Sequence, residues 1–289
     1  MSEISCIIMN LEKALVSQSG DIPPATLSIL KDFARHNIVL GLSSSRSLSW
    51  MQRFIEQCSL QSLFSFLIGS DGCEYQNLQT GAITNLDEPN QEDLKATLNR
   101  IGALPISTGV LWKENYYFNR IGFFAVTFAL SRHRRLHTGL FSALPQDAKF
   151  HKFVLTGSKA LLSRVCSRFK VPGLKLFRQG DHLVDVVSDQ TDIYKALSLA
   201  KEDFGLKDDE ILYFGQEMQD VEAMKHTFGI AMRSSSKPVL ESAKRVTKYN
   251  SGQNGVGYML NVILMENQIL FRENPIVREY RKTHQPKQN

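Results

Sequence analysis

No stretch of this 289-residue chain approaches the roughly 18 consecutive apolar residues that a membrane-spanning helix requires, so no membrane crossing is expected. A secretory leader pattern is missing too. Met1-Ser2-Glu3 precedes a short apolar run that meets Asn10 and Glu12, whereas a leader starts basic and carries a longer apolar core. A cytoplasmic location is the expectation. Cysteines are few: Cys6, Cys58, Cys73 and Cys166 show no CxxC or Cys/His spacing, which indicates neither a zinc site nor a disulfide framework. Idle thiols in a reducing compartment are expected. Excess charge is scarce. The net value of +5 favours anionic small molecules and does not by itself indicate nucleic acid. The most local basic features are Arg132-His133-Arg134-Arg135 and the tail from Arg278 to Lys287, where an acidic partner is the alternative to a solvated face.

What is present reads as an ordinary globular chain, 43% hydrophobic and 22% charged, which excludes disorder and collagen-like repeats. Ile4 to Met9 suits a buried parallel strand. Asp21-Ile22-Pro23-Pro24 announces a helix with Leu27, Leu30, Phe33 and Ala34 on its apolar face. Ile38 to Leu42 is a second strand, Ser43 to Ser47 a serine-rich turn, Leu48 to Ile55 a helix and Phe66 to Ile68 a third strand. This βαβαβ order asks for a parallel sheet with right-handed crossovers.

Between about Thr84 and Asp181 the rhythm changes, and the runs Gly122 to Leu130 and Lys152 to Leu155 read as strands. The βαβ pattern then resumes: a helix over Thr191 to Leu206, a strand over Ile211 to Phe214, a helix over Val221 to Phe228 and a strand over Gly229 to Met232. Helices near Val239 to Val246 and Val256 to Leu264 follow. The expected class is α/β, a Rossmann-like doubly wound parallel core with an inserted α/β cap. Residues 1–82 and 187–271 form the core, 83–186 the cap, and 272–289 a mobile basic tail.

Ligands of such sheets sit at the carboxyl ends of the strands. Four segments fall there: Asn10-Leu11-Glu12-Lys13-Ala14-Leu15, Ser44-Ser45-Arg46, Lys195, and Gly215-Gln216-Glu217-Met218-Gln219-Asp220. In this order they resemble the four motifs of the haloacid dehalogenase-like (HAD) superfamily of phosphohydrolases, closest to the Cof-type sugar-phosphate phosphatases. Ser70-Asp71-Gly72 resembles the segment before the cap, Leu183 to Val187 the return to the core, and Gly255-Val256 the start of the last helix.

The resemblance implies a catalytic site, and the chain departs from it where chemistry is done. The family's first motif is Asp-x-Asp-Gly-Thr, whose first Asp attacks phosphorus and whose second is the acid and base. The matching positions here are Asn10 and Glu12, then Lys13 and Ala14. An amide nitrogen is not a nucleophile and its carbonyl oxygen is neutral. The fourth motif, Gly-Asp-x-x-Asn-Asp, binds Mg²⁺, yet this chain has Gln216 and Gln219, with Asp220 alone in register. Ser44 keeps the hydroxyl that contacts a phosphoryl oxygen, or else caps the helix after it; Ser45 and Arg46 are candidate substrate-binding residues. Lys195 is the candidate for the family's neutralising cation.

The reading is a HAD-like protein, catalytically inactive or strongly impaired, that binds a small phosphorylated metabolite between core and cap without a cofactor. The alternative is a hydrolase of small phosphate esters such as sugar phosphates. It would use Mg²⁺ or a different cation, held by Glu12, Glu217, Asp220 and Asp71 in a rewired site.

Overall fold

The computed structural model describes residues 3–17, 19–87, 91–102, 104–112, 115–131, 135–139, 144, 150–265 and 270–271. Of the two basic segments only Arg135 lies within them; Arg132 to Arg134 and the tail after residue 271 lie outside the described residues. The chain divides into two compact units, Met1–Leu86 with Asp192–Asn289, and Asp87–Thr191.

The first unit begins with β1 (Glu3–Ile4), β2 (Cys6–Asn10), α1 (Pro24–Arg35), β3 (Val39–Ser43), α2 (Leu48–Gln57), β4 (Phe66–Gly69), β5 (Glu74–Asn77) and β6 (Ile83–Asn85). The second unit follows as α3 (Gln91–Gly102), β7 (Ser107–Trp112), β8 (Asn115–Phe118), α4 (Phe123–Ser131), β9 (Leu136–Thr138), β10 (Lys152–Thr156), α5 (Lys159–Arg168), β11 (Leu174–Arg178) and β12 (Leu183–Ser188). The chain then returns to the first unit with α6 (Ile193–Phe204), β13 (Ile211–Gly215), α7 (Val221–His226) and β14 (Phe228–Ala231). It ends with α8 (Lys237–Ser242), β15 (Arg245–Val246), α9 (Gly255–Met265) and β16 (Leu270–Phe271), the last paired in parallel with β1.

The core sheet has eight strands in the order β15-β14-β13-β2-β3-β4-β5-β6, parallel from β15 to β4 and antiparallel beyond. Side-chain alternation splits its apolar residues between two faces. Ile7, Met9, Leu40, Leu42 and Phe214 meet α1, α2 and α9 on one face. Cys6, Ile8, Phe66, Ile68 and Tyr213 meet Ala196, Leu197, Ala223 and Met224 of α6 and α7 on the other. Burying each such Leu, Ile or Phe contributes about 1.5–3 kcal/mol. Pro24 starts α1, and Gly205, at φ 62°, closes α6 in the left-handed conformation.

The second unit is a six-stranded sheet, β11-β12-β10-β7-β8-β9, antiparallel except for β8 with β9. The division falls a few residues later than at 82/83 and 186/187. β6 is hydrogen-bonded to β5 of the core sheet, and β12 runs to Ser188 in register with Leu174. Two element expectations are corrected. Gly122 to Leu130 is the helix α4 rather than a strand. It buries Ala125 and Ala129 at helical spacing while Phe123 and Leu130 stay exposed, so an apolar run on all sides hides its period. The helix near Val239 to Val246 ends at Ser242, and Arg245–Val246 pairs with β14. Among the described residues no helix is long and apolar enough to cross a membrane.

Candidate functional site

Parallel pairing sets Asn10 of β2 opposite Ser43 of β3, and Tyr213 of β13 opposite Ile8. Asn10, Ser43 and Tyr213 therefore project from one face at the carboxyl edge of the sheet. Just beyond β13 a 3₁₀ turn, Met218–Asp220, delivers the carboxylate of Asp220 to the same place. Gly215 permits the approach, since a Cβ there would lie 2.6 Å from the Cβ of Asp220.

Asp220 is wholly buried and surrounded by donors. Asn10 Nδ2 donates to Oδ1 and Oδ2 at 3.3 and 3.2 Å, and Tyr213 OH donates to Oδ1 at 2.8 Å. The backbone N–H groups of Gln216 and Glu217 both donate to Oδ2 at 2.8 Å. Ser43 Oγ and Tyr213 OH lie 2.8 Å apart in a further hydrogen bond. Burial pushes the Asp220 carboxyl up from its usual range, although the backbone amides, Tyr213 and Asn10 each pull it back. Burial, and then the adjacent carboxylate, hold the Tyr213 phenol well above its ordinary range, so it stays a donor. Tyr213→Phe should lower stability by about 1–3 kcal/mol in urea unfolding, since Ser43 and Asp220 each lose a buried partner. An unchanged midpoint would show that the hydroxyl contributes nothing.

A second cluster lies beside the first. Glu12, in a π-helical turn over Leu11–Leu15, accepts at Oε1 from Ser44 Oγ and Arg46 Nε, both at 2.8 Å. Ser44 Oγ also accepts from the Arg46 backbone N–H at 3.0 Å, and the Arg46 guanidinium lies 4.0 Å above the Trp50 ring. Ser45 is half-buried in the same loop. Asp71, at φ 58°, is buried and donates its N–H to the Ser44 carbonyl at 3.0 Å.

The structure therefore brings together Asn10, Asp220 and the backbone of Gln216 in one group, and Glu12, Ser44 and Arg46 in another. It does not bring Lys195 to either. Gly72, at φ +100°, lets its backbone pack on Asp192 at the start of α6, where Ile193 is buried. Lys195 is two residues further on, about 200° around the helix, and is exposed. Ser43, Tyr213 and Trp50 were not singled out from sequence. Tyr213 sits in the apolar run Ile-Leu-Tyr-Phe, where a hydroxyl gives no signal of its own.

The donor set does not fit a magnesium ion. Mg²⁺ asks for oxygen acceptors, yet the amide nitrogen of Asn10 points at Asp220, whose two oxygens already receive donors from four residues. Among the described residues no group of three His, Cys, Asp or Glu side chains is arranged to hold a metal.

The family of haloacid dehalogenase-like hydrolases matches residues 7–260. The chain belongs to this family. Solved structures agree in fold. A haloacid dehalogenase-like hydrolase from Bacteroides thetaiotaomicron superposes with a TM-score of 0.73 at 17% identity, over 90% of this chain and 100% of that one. The HAD subclass IIB sugar phosphatase BT4131 gives 0.74 at 16%, over 90% and 98%. The protein TM0651 from Thermotoga maritima gives 0.72 at 19%, over 90% and 97%. No curated protein matches. In this haloacid dehalogenase-like chain an amide–carboxylate hydrogen bond joins the end of β2 to the turn after β13.

Proposed function

We propose that this haloacid dehalogenase-like protein binds small phosphorylated metabolites and has lost, or nearly lost, metal-dependent hydrolysis of them. One observation carries the reading: the Asn10 amide donates to Asp220, so the nucleophile position is neutral and turned toward the carboxylate. Phosphoryl transfer depends on positioned charge and a competent nucleophile, and an amide supplies neither. The polar groups suited to a phosphate oxygen are Ser44 and Arg46.

A second reading is an altered hydrolase of small phosphate esters. Family membership and the sugar phosphatase among the similar structures favour it. The two separate in one assay, hydrolysis of p-nitrophenyl phosphate with Mg²⁺ and with EDTA in parallel. No turnover in either condition is expected. Turnover that EDTA abolishes would overturn the inactive reading, and loss of that turnover in Asp220→Asn, shown folded by circular dichroism, but not in Asn10→Ala would identify the rewired acid.

A further inference from the structure

The Ser44 and Arg46 pair is already occupied by an anion, and the anion belongs to the protein. Both donors converge on a single oxygen, Oε1 of Glu12. The second oxygen, Oε2, is buried and has no hydrogen-bond partner among the described residues. A carboxylate seated to be a partner would use both oxygens against an arginine fork; this one is only half satisfied.

The donors are held independently of it. Ser44 is fixed by its own backbone, donating to Ile68 O at 2.9 Å and accepting from Asp71 N at 3.0 Å, while its Oγ accepts from Arg46 N. Arg46 rests on Trp50, and its carbonyl accepts from Ser70 N at 2.7 Å. If Glu12 withdrew, a hydroxyl and a guanidinium would stay in place, aimed at the point its Oε1 now fills. That arrangement is complementary to an oxygen of a tetrahedral oxyanion.

We propose that Glu12 is a resident competitor for this site: a phosphate group binds Ser44 and Arg46 by displacing the Glu12 carboxylate, so Glu12 sets the affinity for phosphorylated ligands. The inference rests on the phosphate-binding reading above and adds the residue that regulates it. It also gives Glu12 a part that needs no metal and no bond-making step. A ligand arriving with two negative charges meets the repulsion of Glu12 until the carboxylate moves away, so neutralising Glu12 removes an opposing charge and leaves both donors.

Calorimetry with inorganic phosphate tests this on the full chain, comparing the unaltered protein with Glu12→Gln, Glu12→Ala and the double variant Glu12→Gln/Arg46→Gln. Glu12→Gln and Glu12→Ala are each expected to bind phosphate about tenfold more tightly, or more, from removal of one nearby negative charge. The double variant is expected to lose the gain. Circular dichroism melts establish that each variant is folded, and two different exchanges at Glu12 guard against one failing to fold. If the unaltered protein and both single Glu12 variants bind phosphate equally while the double variant binds more weakly, Glu12 is no competitor and the phosphate site itself stands; equal binding by the double variant as well overturns both. If neither the unaltered protein nor any Glu12 variant binds, both the competitor role and the phosphate-binding reading fall.

Discussion

Asp220→Ala is expected to destabilise the first unit by about 3–5 kcal/mol, because it strands several buried donors at once. Asn10 Nδ2 and the N–H groups of Gln216 and Glu217 would lose their acceptor at a position that is wholly buried. Tyr213 keeps Ser43, so its loss is smaller. The alanine also opens a void against Gly215, where the Asp220 side chain packs closely. Urea unfolding followed by tyrosine fluorescence measures the shift. A change below about 1 kcal/mol would mean that the network relaxes onto other partners, contrary to the burial seen.

The same carboxyl gives a signed pH dependence. Its folded pKa is raised by burial above the unfolded value, so the folded state holds the proton more tightly than the unfolded chain does. The stability this contributes is fully present below the ordinary carboxylate range and is lost as pH rises through the raised folded value. Asp220→Asn removes the titration. The difference in melting temperature between the unaltered protein and Asp220→Asn should therefore change with pH across that window, the unaltered protein losing ground as pH rises. A constant difference would contradict the raised value.

Much of this architecture is legible in the sequence, for physical reasons that differ by element. The strands at Cys6–Asn10, Val39–Ser43 and Ile211–Gly215 are buried on both faces, so short β-branched or apolar runs bounded by polar turns betray them. The helix beginning at Pro24 is marked by its prolines. α4 was illegible because hydrophobic residues surround it, and the burial of Ala125 and Ala129 depends on neighbours far away in sequence. At the site, Asn10, Glu12, Ser44, Arg46 and Asp220 could be found because they follow strands in a motif order. Their partners could not. That Asn10 faces Asp220, 210 residues away, is set by the β2–β13 pairing, and the Ser43–Tyr213–Asp220 chain needs Tyr213 opposite Ile8, two residues before the Asn10–Ser43 pair on the same face. For Lys195 the motif order places a residue near a helix start without fixing its angle around the helix. A two-residue difference along α6 exchanges a buried position for an exposed one.

Asn10→Asp should expose what the amide now accomplishes. It exchanges the donor that lies 3.2 Å from Asp220 for a second carboxylate oxygen, while the bond from Lys13 N to Oδ1 can persist. Two buried carboxyls at that distance do not both ionise, so one takes up a proton with its pKa raised. The cost at neutral pH should be about 2–4 kcal/mol, and it should shrink as pH falls and the shared proton binds in the folded state. A divalent cation can replace that proton. Adding Gln216→Asp supplies a further carboxylate at the same edge, and the double variant should melt higher in millimolar Mg²⁺ than in EDTA. An increase of about 2–3 kcal/mol corresponds to a cation present at roughly a hundred times its dissociation constant. The unaltered protein should melt identically in both buffers, because the Asn10 amide already occupies the Asp220 oxygens that a cation would need. Equal Mg²⁺ stabilisation of both proteins would show that Asp220 accepts a metal despite Asn10. It would return the altered-hydrolase reading to the front, since the donors around Asp220 would then have to rotate away on metal binding. No stabilisation of either would mean that the surrounding backbone N–H groups of Gln216 and Glu217, not Asn10 alone, have closed the edge to cations.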